Sequence, residues 1–138
     1  MTMRWTILFA LLCVTTVVTF SAHHSMSQEF DMNRHVTATG VITKVDWTNP
    51  HIWIYLDMQT PARRDIGWGI QSAPPGGLKA KGVTASTLPV GTRVTVEGFP
   101  SLRPGVKTLS GISLTLPDGK LLDIRDTWPT TGTERKRN

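Results

Sequence analysis

From Val36 onward apolar and polar residues alternate in short runs rich in β-branched side chains and punctuated by Gly and Pro. A period of two predicts strands rather than helices. The first strand is expected over 36–47, with Val41, Val45 and Trp47 on one face and Ile42, Lys44 and Asp46 on the other. Gly40, in its interior, suggests a bulge or sharp bend. Thr48, Asn49 and Pro50 make a turn, because proline fixes its own φ and keeps the residue before it out of helical geometry. The second strand, 51–57, has the clearest alternation in the chain: Ile52, Ile54 and Leu56 on a core face, His51, Trp53, Tyr55 and Asp57 opposite.

A third strand is expected over 66–71, with Ile66, Trp68 and Ile70 on one side, before Pro74 to Gly77 breaks the sheet. Residues 78–81 can make about one helical turn ahead of Gly82, given the cost of glycine in helices. Further strands follow over 92–97, with Val94 and Val96 inward, and over 106–116, interrupted by Gly111. Pro117, Asp118 and Gly119 then form a hairpin turn into 120–124. The order β-β-β-α-β-β predicts an all-β domain over 36–126, a small OB-like barrel of five to six strands with a short helical segment between strands 3 and 4. The 138 residues are enough for one domain and contain no internal repeat.

The first 22 residues read differently. Arg4 precedes an apolar run from Ile7 to Val18 and a small-residue end at Ser21 and Ala22, the order of a cleavable signal peptide. The run is too short, and too interrupted by Thr15, Thr16 and Thr19, for a membrane-spanning helix. Leu12 ahead of Cys13 is too large for lipoprotein processing. Removing 1–22 would also remove Cys13, the only cysteine, so the exported domain would hold together without disulfides. A periplasmic or secreted location is expected.

The formal charge of +5 includes Arg4 and a Thr/Gly-flanked cluster at Glu134 to Arg137. Residues 127–138 therefore read as a disordered basic tail, and residues 23–35 as an extended N-terminal arm ahead of a mildly basic body. Nucleic-acid binding would want basic residues gathered on one face with aromatics among them, which the body lacks. Nor is there a cysteine nucleophile, Gly-x-Ser-x-Gly turn, phosphate-binding glycine loop or His-Glu-x-x-His helix in residues 23–138. No enzyme is expected.

The residues Ala22 to Ser25, Glu29 to Asp31, Gly40 to Ile42 and Val45 to Ile52 together resemble a family of small exported bacterial proteins of unassigned function. The pairing of an Ala-His-His-Ser cleavage region with Trp-Thr-Asn-Pro-His-Ile is the specific part. The resemblance continues through Trp68, Leu88 to Gly98 and the turn ending at Gly119, and it brings no activity or site with it. Met26 stands where the family pattern has an aromatic, and Pro74 to Gly77 is richer in Gly and Pro than that pattern.

Two constellations carry candidate chemistry. The first is a metal site at His23 and His24, with His51 as third imidazole. Cleavage after Ala22 frees the amine of His23 to chelate with its own ring, an N-ligand set suited to copper(II). Cleavage after Ser21 leaves Ala22, His23 and His24, whose amine, backbone nitrogens and third-residue ring suit square-planar Cu(II) or Ni(II). Small-residue preference at the cut favours the latter, because Thr19 fits the third position before it better than Phe20. The resembled pattern, beginning at His23, favours the former. Two histidines in an arm also need no ligand to explain them. Met26 could be a soft ligand or a packing group, and His35 reads as a surface residue.

The second constellation is Trp53, Tyr55 and Asp57 on the outer face of the second strand. Strands two and three of an OB-fold often bind ligands, so this face is a candidate for a partner protein or a small glycan. The competing reading is that the arm covers it, with Phe30 and Met32 over Trp53 and Tyr55.

Overall fold

In a computed structural model, residues 26–59 and 64–126 are described. The leader, His23, His24 and the tail beyond Asp126 lie outside them. A single helical turn, α1 (Met26–Glu29), precedes β1 (Val36–Asp46), β2 (Trp53–Gln59) and β3 (Arg64–Gln71). Helix α2 (Pro75–Ala80) and a 3-10 turn (Ala85–Thr87) then lead to β4 (Arg93–Pro100), β5 (Thr108–Thr115) and β6 (Leu121–Asp123). The arm is thus not extended throughout, as α1 carries it into the barrel.

The strands form one sheet in the order β3-β2-β1-β4-β5-β6, and a parallel pairing of β3 with β5 closes it. Closure leaves a five-stranded OB-like barrel with β6 as an extra strand against β5, the all-β architecture expected from the sequence. Strand β1 is long enough to serve two neighbours: residues 36–41 pair with β4 and 40–46 with β2. The parallel contact is short, Gly69 to Gln71 against Thr108 to Ser110, and Gly69 N–H extends it by donating to Lys107 O at 2.9 Å.

Ile42, Ile52, Ile54, Leu56, Ile70, Leu78, Val94, Val96, Leu109, Leu114 and Ile124 fill the interior, with no more than 1% of any of them exposed. Helix α2 plugs it with Leu78. Pro75 suits its first turn, where a missing N–H costs nothing. Gly82 (φ +76°) ends it: its N–H donates to Lys79 O, and Val83 N–H donates back to Leu78 O. The helix starts earlier than the expected 78–81, because the Pro-Gly stretch begins the helix as well as breaking the sheet.

Two bulges change which residues face inward. The pairing of β1 with β2 slips between Ile42 and Lys44, so Gly40 and Ile42 point inward before the slip and Val45 and Trp47 after it. The expected grouping of Val41 with Val45 and Trp47 is therefore corrected, since one extra residue inverts the alternation. The bulge is not at Gly40, whose role is close approach: a Cβ there would sit 2.9 Å from Asp57 O. In β3 an extra residue beside Gly67 (φ +76°) turns Ile66 away from the side it was expected to share with Trp68 and Ile70, leaving it 58% exposed. Trp68 stays packed on the core, and its Nε1–H reaches no acceptor.

A polar clamp ties α2 to the end of β6. Lys81 Nζ donates to Arg125 O at 2.7 Å and lies 3.3 Å from Asp123 Oδ1, while Arg125 Nη2 holds Asp123 Oδ2 at 2.9 Å. The Arg125 hydrogen bonds, with help from Lys81, hold the Asp123 carboxyl well below the usual carboxylate range. A folded-state pKa lowered in this way stabilises the protein above the unfolded carboxylate's pKa, and the effect is lost as pH falls through the lowered value. The pair is part-exposed, so the effect is modest. Asp123→Asn should therefore be less stable than wild type at neutral pH, with the gap closing in strong acid, as read by urea denaturation across pH.

Strand β5 can approach β4 only because Gly98 lacks a side chain: a Cβ there would run into the Ser110 backbone carbonyl. Gly98→Ala should cost about 1–3 kcal/mol of unfolding free energy. Gly76→Ala, at a helical position with open space around it, should instead add about 0.4–1 kcal/mol. Urea denaturation midpoints distinguish the two.

Candidate functional site

The outer face of β2 follows from its alternation. With Ile54, Leu56 and Met58 turned inward, Trp53, Tyr55 and Asp57 stand half-buried on the other side, and His51 joins them just before the strand. These four residues do not act as one site, because each has different company.

His51 is tied by one ring nitrogen. Its Nδ1 lies 3.2 Å from Ser72 O and 3.3 Å from Asp126 Oδ2. A carbonyl oxygen can only accept, so Nδ1 carries the proton in this contact, and in the neutral form of the ring the lone pair is at Nε2. Ser72 is itself fixed, its N–H and Oγ both donating to Ile52 O at 3.0 Å. An imidazole whose second nitrogen is held by a carbonyl or carboxylate has the orientation common among metal ligands. Among the described residues, no three His, Cys, Asp or Glu side chains gather as a metal cluster.

Tyr55 lies under Lys44, whose Nζ is 5.3 Å from the ring centroid and 2.8 Å from Asp46 Oδ2. The hydrogen bond to Asp46 raises the Lys44 pKa, so the cation over the ring persists. Asp57 accepts from Arg64 Nη2 at 2.6 Å and from Gly67 N–H at 3.3 Å, bracing the β2–β3 bulge. Both are committed to structural contacts. His35 sits edge-on to Phe99 at 5.8 Å, the surface role expected of it.

Trp53 alone faces a cleft. Its six-membered ring lies over Gly69, 3.3 Å from where a Cβ would be. The cleft beside it is lined by Gln71 and Thr108, by Ser101, Arg103 and Val106 of the β4–β5 loop, and by Glu29 and Phe30 of the arm. Phe30 is 3% exposed and pairs with Ser101. Asp31 N–H donates to Pro100 O at 2.8 Å and Leu102 N–H to Glu29 O at 2.9 Å. The arm is thus fastened to the β4–β5 loop and forms one wall of the cleft. Of the two arm side chains expected to cover the aromatic face, Phe30 lines it with Trp53, while Met32 stands 42% exposed.

Sequence reasoning found Trp53 and His51 but missed Gln71, Arg103, Glu29 and Asp126. Gln71 joins Trp53 only through cross-strand register, and Arg103 only through barrel closure. Asp126, the last residue of the expected domain, carries no signal of this role in the sequence.

These features define a small OB-like barrel with an arm-walled cleft on the β2–β3 side and an anchored imidazole at one end of β2. The chain belongs to a family of unknown function, DUF6152, whose pattern matches residues 10–109. No curated protein and no solved structure matches it. No described helix is long and apolar enough to cross a membrane.

Gly69→Ala tests the placement of Trp53. An added Cβ 3.3 Å from the ring must push it, so the Trp53 indole resonance should shift in an NMR spectrum while those of Trp47 and Trp68 hold. An unmoved Trp53 signal would contradict the packing described.

Proposed function

We propose that the protein is an exported, periplasmic copper-binding protein in which His23 and His24, at the processed N-terminus, and His51 supply the ligands. The observation that carries this reading is the anchoring of His51 through Nδ1 to Ser72 O and Asp126, which leaves Nε2 as the ligating nitrogen. Chain length adds support. Phe30 and Trp53 line one cleft, and Trp53 lies two residues from His51 on the same face, about 7 Å along the strand. His24 is two residues before α1, so the arm is long enough for the histidines to approach His51. A fixed third imidazole suits the product cut after Ala22, whose amine and ring supply only part of a ligand set.

Intact mass of the exported protein gives the first residue, and a start at Ser25 or later ends this proposal. With the histidines retained, Cu(II) titration followed by electron paramagnetic resonance should show nitrogen ligation in the wild type. His51→Ala should weaken binding at least tenfold and change the spectrum, and identical spectra and affinity would remove His51 from the site. Asp126→Ala, which removes the carboxylate beside Nδ1 and leaves Ser72 O as its remaining acceptor without deleting the ligand, should cost up to about tenfold in affinity.

A further inference from the structure

Beyond the metal reading, the cleft beside Trp53 has a composition of its own. It combines a flat indole with Glu29, Gln71, Arg103 and Thr108. Among the described residues the Glu29 carboxylate, the Gln71 carboxamide and the Arg103 guanidinium make no hydrogen bond or ion pair. Elsewhere on this face the polar groups are spoken for, Asp57 by Arg64 and Lys44 by Asp46. Residues carrying an acceptor, a cation and a mixed donor-acceptor, none of them committed elsewhere among the described residues, therefore line one cleft with an aromatic ring.

Size and shape narrow what fits. The cleft holds about 160 Å³, below the roughly 300–1,000 Å³ of sites for drug-sized ligands, room for about one ring. Gly69 is what makes the platform, because any side chain there would press on the indole. Val106 adds apolar surface to the lining. A ligand matching this has one apolar face to stack on Trp53 and a rim of groups that both donate and accept, to meet Gln71, Arg103, Glu29 and Thr108.

We propose that this cleft binds one pyranose ring of a saccharide, stacked on Trp53 with its hydroxyls held by Gln71, Arg103 and Glu29. A pyranose carries C–H bonds on its faces and hydroxyls around its edge, the distribution the cleft mirrors. Arg103 and Val106 belong to the β4–β5 loop and Glu29 to the arm, so the fastening of arm to loop by Leu102 and Asp31 assembles the site. Tyr55 and Asp57 take no part.

The test uses the exported protein in chelator, so that metal loading plays no role, with a panel of methyl pyranosides of glucose, galactose, mannose, N-acetylglucosamine and glucuronic acid as probes. At least one should shift the Trp53 indole Nε1–H resonance saturably, with a Kd on the order of 1 mM for one ring. Sorbitol, an acyclic polyol with no ring face to stack, should not. Gln71→Ala and Arg103→Ala should each weaken that binding about fivefold or more with the rest of the spectrum unchanged, and His51→Ala should leave it intact. A saturable response to none of the pyranosides, an equal response to sorbitol, or full affinity in both cleft variants overturns the proposal.

Discussion

The short parallel pairing of β3 with β5 is the contact on which the rest of this protein depends. Without it β3 is a free edge of an open sheet. With it, Gly69 to Gln71 lie against Thr108 to Ser110, and the interior closes around Ile70, Leu109 and Ile124. β5 can reach β3 only because it also passes close to β4, which Gly98 allows, and beneath Ile70 and Ile124, where a Cβ on Gly111 would sit 2.8 Å from Ile70 Cγ2. Closing a small barrel removes edges that would otherwise template aggregation, and here it also creates the surface on which chemistry can be placed.

Both candidate sites grow out of that closure. The loop between β4 and β5 is carried over to the β2–β3 face, where Arg103 and Val106 meet Trp53 and Gln71. The arm follows because the end of β4 and the loop offer it backbone partners, Pro100 O for the Asp31 N–H and the Leu102 N–H for Glu29 O, and a buried seat for Phe30. Just before β2, the exit of β3 that places Ser72 beside Ile52 also turns a carbonyl toward His51. The chain running out of β6 brings Asp126 to the same ring. The cleft and the imidazole are therefore products of one topology, Trp53 and His51 two residues apart at the start of β2, yet built from different partners.

Much of the framework was legible in the chain. The alternation in β2 located its buried and outer faces to the residue, because a strand with one wet face must alternate. The Pro117 to Gly119 turn was equally plain, since Gly119 has φ +84° and its N–H closes onto Leu116 O. The faces of β1 and β3 were not legible beyond their bulges. A bulge is a decision about register against a neighbour, and one inserted residue moved Val41 out and Ile42 in without any mark in the local sequence.

The sequence by itself determined the class of fold, the inward residues of β2, the placement of the short helix between β3 and β4, and the candidacy of His51 and Trp53. Each of these follows from local period or from the chemistry of single residue types. Only the tertiary structure decided that Tyr55 and Asp57 are held by Lys44, Arg64 and Gly67, that His51 presents Nε2, and that Gln71, Arg103 and Glu29 stand around Trp53. Those facts rest on contacts between residues 7 to 75 positions apart, and such contacts are set by register, bulges and barrel closure, which the local period does not encode.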